Sequence, residues 1–136
     1  MKNTSDSQYH TLIQTAIDAS KNAYIPYSEY PVGAALQAKD GTVFTGCNIE
    51  SASYTPTTCA ERTALVKAVS EGYRQFDQIA VVTRNGGSPC GVCRQFLYEF
   101  APEMIVIIAD LDGQVHQILS LSELLPLGFG PSKLDS

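Results

Sequence analysis

The chain has 136 residues, 44% of them hydrophobic and 17% charged, with a formal net charge of -5 at pH 7. At this length one globular domain over residues 1–136 is expected, burying about two-thirds of its unfolded surface. With an acidic balance and no Lys/Arg run, the chain lacks the basic stripe that grips nucleic-acid backbones, and no apolar stretch approaches the roughly 18 residues of a membrane span. A small-molecule substrate is favoured, with neither nucleic acid nor membrane as partner. The polar start, Met1 to His10, has no signal-peptide core, so a cytoplasmic location is expected. There the four cysteines stay reduced, and a C-x-x-C reads as metal-binding or redox rather than as a disulfide.

In chain order, Leu12, Ile13, Ala16, Ile17, Ala19 and Ala23 predict a helix over about Gln8 to Tyr24, ended by Pro26. Strands over Pro31 to Ala38 and Thr42 to Cys47 flank Asp40-Gly41, a hairpin signal. A polar loop containing Pro56 leads to a helix from about Thr58 to Glu71, closed by Gly72. Gln78 to Thr83 reads as a strand, Arg84 to Pro89 as a loop, and Gly91 to Phe100 as a helix. The apolar run Met104 to Ala109 suits a strand buried on both faces. Asp112-Gly113 then turns the chain into an edge strand near Val115 to Leu119, followed by a short helix, Ser122 to Leu125. Strand, helix and strand in succession imply a parallel pair. The sum is an α/β protein with a mixed five-stranded sheet covered by helices.

Two short runs carry the chemistry: Thr58-Cys59-Ala60-Glu61-Arg62 and Pro89-Cys90-Gly91-Val92-Cys93-Arg94-Gln95. Cys59, Cys90 and Cys93 offer zinc three soft ligands and leave a fourth position for water, with the Glu61 carboxylate nearby to move protons. Both runs fall at helix starts, where free N–H groups and the positive dipole end stabilise thiolates; Thr58 is the expected N-cap of the first. Taken singly, each cysteine could be a small buried hydrophobe, and an isolated C-x-x-C could be redox-active. The second run 31 residues downstream of the first favours metal. Cys47 reads as packing, and His10 and His116 as surface residues. Arg62 or Arg94 could offset the charge of three thiolates by bonding sulfur.

These runs resemble the zinc-dependent nucleoside and nucleobase deaminases, whose signature is a His or Cys, x, Glu and then P-C-x-x-C. The likeness extends over Ala23 to Leu36, Gly46 to Tyr54, Ser88 to Phe100 and Glu123 through Phe129, nearly the whole chain. With cysteine as first ligand, the chain is most similar to the small homotetrameric cytidine deaminases. The resemblance implies a three-layer α/β/α sandwich with a mixed five-stranded sheet. It also implies one Zn²⁺ per chain on Cys59, Cys90 and Cys93, with catalytic Glu61 and Arg62 bonding sulfur. Activity on cytidine and 2′-deoxycytidine in pyrimidine salvage follows from the same likeness. By it, Asn48 and Glu50 hold the sugar 3′-hydroxyl, Ala52 and Tyr54 lie in the ribose-binding run, and Tyr30 faces the pyrimidine. The Ala60 N–H and carbonyls near Ser88 and Pro89 orient its edge, and Phe129 reaches a neighbouring subunit's site in a homotetramer. Tyr30 stands where the family commonly has Phe, and Pro56 where it often has Gly. A blasticidin-type deaminase would share the metal runs, but Asn48-Ile49-Glu50 favours a nucleoside. A non-catalytic zinc module would need Cys47 as fourth ligand.

Overall fold

Strand alternation and helix stripes meet in a three-layer arrangement. A computed structural model describes residues 8–134; the start of the polar Met1 to His10 segment lies outside them. The elements are α1 (His10–Ser20), β1 (Gly33–Ala38), β2 (Val43–Cys47), α2 (Ala60–Ser70) and β3 (Phe76–Thr83). They continue as α3 (Gly91–Tyr98), β4 (Ile105–Asp110), β5 (Val115–Ser120), α4 (Leu121–Leu124) and a 3₁₀ turn, Pro131–Lys133. The sheet order is β2-β1-β3-β4-β5, with β3 and β4 parallel and the other pairs antiparallel. This is the mixed five-stranded sheet that the element order predicts, with β5 at an edge.

One face of the sheet carries α1, whose Leu12, Ile13 and Ala16 pack on Ala35, Ala80, Val82, Ile107 and Ala109. The other carries α2, α3 and α4 over Leu36, Phe44, Ile79, Val81, Val106 and Ile108. Because β1, β3 and β4 feed both clusters, their residues are apolar at odd and even positions alike. Leu36, Leu65, Ile79 and Ile107 are fully buried, each worth about 1.5–3 kcal/mol of removed apolar surface. Among the described residues no helix is long and apolar enough to cross a membrane.

Differences from the expected boundaries have local causes. Helix α1 stops at Ser20, because Tyr24 pairs across the chain instead: its N–H donates to the Asn48 carbonyl at 3.0 Å. Strand β3 begins at Phe76, which is buried opposite Ala38. The N-cap of α2 is Cys59, not Thr58. Thr58 is held extended by reciprocal backbone bonds with Ile49, both at 2.9 Å, and its hydroxyl donates to the Pro56 carbonyl. Gly72 does end the turn after α2, with φ of 98°.

Candidate active site

The sheet register sets where the site forms. Gly33 at the start of β1 pairs with Cys47 at the end of β2 and with Val82 near the end of β3, so all three reach one end of the sheet. Helix α2 begins there, so close that a Cβ on Gly46 would lie 2.2 Å from the Ala60 carbonyl and 2.6 Å from the Ala64 nitrogen. Only glycine permits that approach. Helix α3 starts nearby, after the loop that leaves β3.

The two helix starts bring the sulfurs together. Cys59 caps α2 and Cys90 caps α3, where its Sγ accepts from the Cys93 N–H at 3.5 Å. Cys59 Sγ lies 3.8 Å from Cys90 Sγ, which is 3.4 Å from Cys93 Sγ, and all three fall within 4.8 Å of one another. Tetrahedral zinc at the usual bond length of about 2.3 Å requires sulfurs about 3.8 Å apart, so this donor set fits zinc. Cys47 is free and outside the cluster. Arg62 donates through Nη2 to Cys59 Sγ at 3.7 Å and to the Thr57 carbonyl at 3.2 Å. Arg94 does not reach sulfur; it braces the loop before α3 through Pro89 O, Ser88 Oγ and Leu124 O.

The electrostatics follow from this crowding. A hydrogen bond from Cys93, helped by Arg62 and Cys90, draws the Cys59 thiol down to about 5, against its burial. The same Cys59–Cys93 bond, with burial, pushes the Cys93 thiol up. Glu61, only 3% exposed in the first turn of α2, is pushed up to about 7, chiefly by burial and further by the Cys59 thiolate, with a backbone hydrogen bond and Arg62 opposing. A cation held by the sulfurs would reinforce the downward shift of Cys59 and oppose the upward shifts of Cys93 and Glu61.

Beside the cluster lies a cavity of about 210 Å³ lined by Tyr30, Asn48, Glu50, Cys59, Glu61 and Cys90, among others. Asn48 and Glu50 brace its wall as well as line it. Asn48 accepts from the Val32 N–H and donates to the Tyr30 carbonyl, both at 2.9 Å. Glu50 accepts from the Tyr27 and Ser28 N–H groups at 3.1 and 3.2 Å. The Ser28 hydroxyl and these N–H groups hold its carboxyl below the usual range. Ala60 is fully buried at the start of α2, and Ser88 lines the cavity while Pro89 is buried behind it. Ala52, Tyr54 and Phe129 lie outside this lining: Ala52 is exposed, and Tyr54 and Phe129 are 77% and 54% exposed. Sequence reasoning passed over Thr57, Thr58, Thr83 and Gly87, which also line the cavity. In the sequence Thr58 read as a helix cap, Thr83 as a strand end, and Thr57 and Gly87 as loop residues, none with a role at the cavity.

A three-sulfur cluster, a buried carboxylate and a small cavity, set on a three-layer α/β/α frame, fit the zinc site of a hydrolytic enzyme. Comparison with known proteins is specific. Residues 6–109 match the family model described as the cytidine and deoxycytidylate deaminase zinc-binding region. A cytidine deaminase of Sporosarcina psychrophila is 48% identical over 126 residues, 90% of this chain and 92% of that protein. One from Halalkalibacterium halodurans is 52% identical over 121 residues, 87% of this chain and 91% of the relative. The crystal structure of cytidine deaminase from Burkholderia pseudomallei superposes with a TM-score of 0.85 at 47% identity, covering 89% of this chain and 98% of its own. The chain belongs to the cytidine and deoxycytidylate deaminase family.

Proposed function

We propose that this protein is a cytidine deaminase that converts cytidine and 2′-deoxycytidine to uridine and 2′-deoxyuridine with release of ammonia, in pyrimidine salvage. The observation that carries the reading is Glu61, buried at the cavity wall beside the Cys59–Cys90–Cys93 cluster. One Zn²⁺ per chain would sit on the three sulfurs and supply a Lewis acid that lowers the pKa of a water towards about 7. Glu61 takes one proton of the attacking water and passes it to ring N3 as the C4–O bond forms, then takes the second from the new C4 hydroxyl and delivers it to the amine as the C4–N bond breaks, which leaves the C4 carbonyl and releases ammonia. The Ala60 N–H and the carbonyls near Ser88 and Pro89 would hold the pyrimidine edge, and Arg62 would offset sulfur charge.

Tyr30 would face the pyrimidine, while Asn48 and Glu50 would grip the sugar through the hydrogen-bonding capacity their loop contacts leave free. A cavity of about 210 Å³ falls below the roughly 300–1,000 Å³ of most small-molecule sites. That shortfall supports a shared site in a homotetramer, with Ala52 and Tyr54 at its rim and Phe129 contributed by a neighbour. We read residues 1–136 as a single domain and its location as cytoplasmic. Ultraviolet spectroscopy of purified, zinc-loaded protein tests the activity: loss of the cytidine band is expected. A protein that holds zinc yet leaves cytidine and 2′-deoxycytidine unchanged would refute it.

A further inference from the structure

The loop before β1 and the loop after β3, 55 residues apart in sequence, are fastened to each other at the cavity wall. The Tyr30 hydroxyl donates to Asn85 Oδ1 at 2.6 Å. The Arg84 guanidinium lies 5.0 Å from the centre of the Tyr30 ring and donates to the Glu29 carbonyl at 2.5 Å. Glu29 is a non-glycine residue at φ of 54°, a conformation that persists only where surrounding contacts over-determine it. On the other side, the Thr83 hydroxyl donates to Asn85 Oδ1 at 3.4 Å and accepts from the Gly87 N–H at 2.7 Å. A Cβ on Gly86 would strike the His116 ring at 2.4 Å, so this loop is also seated on β5. It runs directly into Ser88, Pro89 and the ligand Cys90.

We propose that Asn85 and Arg84 are positioning residues that lock the Tyr30 ring to the Cys90 loop and so set the gap into which a flat ring enters. Arg84 fixes the ring's face and the strained Glu29 backbone, and Asn85 fixes the ring's far end. Neither touches the reacting atoms, so their loss should weaken binding and spare proton transfer. The inference rests on the deaminase reading for its kinetic consequence, but the lock itself can be read without substrate.

Amide hydrogen exchange and steady-state kinetics on the zinc-loaded protein test both parts. Tyr30→Phe removes only the hydroxyl, and Asn85→Ala removes its acceptor. Each should speed exchange in residues 27–32 and 84–88, and raise KM for cytidine about three- to tenfold with kcat within about twofold. The double variant should be no worse than Asn85→Ala alone, because Tyr30→Phe deletes a bond that Asn85→Ala has already removed. Asn85→Asp keeps the acceptor oxygen and should restore KM. Unchanged exchange in the singles, multiplicative losses in the double variant, or a fall in kcat at constant KM would each overturn the lock. Faster exchange in a wild-type background that never deaminates cytidine would leave the lock standing and reject the activity instead.

Discussion

Glu61 combines two features that rarely coincide: a carboxylate almost wholly buried, and a place in a helix's first turn where its charge is favoured. Glu61→Gln keeps the shape and removes the titrating proton. It is expected to retain zinc by elemental analysis while kcat drops by on the order of 10²–10⁴; near-normal turnover would exclude the role given to Glu61. Cys93→Ala should strip the metal, whereas Cys47→Ala should keep it, since Cys47 lies outside the cluster. Asp110 has a different duty. Its carboxylate accepts from the Asp112 and Gln114 N–H groups and pairs with His116 Nε2 at 2.8 Å, closing the β4–β5 turn. The His116 hydrogen bond, then the two amides, hold its carboxyl below the usual range. A depressed carboxyl stabilises the fold above its unfolded value of about 3.9, and that contribution disappears as pH falls through the folded value. Asp110→Asn should therefore cost about 1–3 kcal/mol near neutrality. In thermal melts the gap to wild type should narrow as pH falls below about 3.9; a gap independent of pH would count against this reading.

Elements meet at this site through two glycines that a side chain would fill. A Cβ on Gly33 would lie 2.0 Å from the Ala16 carbonyl of α1, and one on Gly46 would collide with the first turn of α2. Both Gly→Ala changes overpack, at about 1–3 kcal/mol or more, but only Gly46→Ala displaces the turn that carries Cys59 and Glu61. Zinc affinity, measured by competition with a chelator, should fall for Gly46→Ala and stay near wild type for Gly33→Ala. Equal losses would mean that the site merely follows global stability. Periodicity was enough to read the sheet and its helices, because burial on one or two faces leaves a repeat in the sequence. It could not separate Thr58 from Cys59 as the cap of α2, since the deciding bonds come from Ile49, nine residues away. The partners of Asn85 and Arg84 were equally hidden, because the Tyr30 hydroxyl and the Glu29 carbonyl lie far upstream in the chain. Metal ligands announce themselves by residue type and spacing, whereas cavity walls made of threonine, glycine and serine do not.

At the scale of the whole molecule, the outer face of α2 and α3 is left apolar. Val92 and Phe96 are exposed at a hollow also lined by Arg62, Gly91, Gln95 and Glu99, and Val66 is exposed on α2. The tail crosses the neighbouring surface, where Gln95 donates to the Phe129 carbonyl at 2.6 Å and leaves the Phe129 ring largely bare. Under the tetramer proposal, sedimentation should give about four times the 14.7 kDa chain mass. Phe129→Ala should raise KM without releasing zinc, and a fully active monomer would reject the shared site. The order of assembly in time follows from how the three sulfurs are distributed along the chain. Cys90 and Cys93 are neighbours within the β3–α3–β4 unit, so any chain that has formed α3 already holds two of the three sulfurs together. Cys59 arrives only when α2 docks over the β1–β2 hairpin and that hairpin pairs with β3 across some forty residues. Such distant pairings are the slow part of folding. During refolding, tight zinc uptake should therefore trail the growth of helical signal and coincide with the final joining of the two halves, making the metal a clock for the last step.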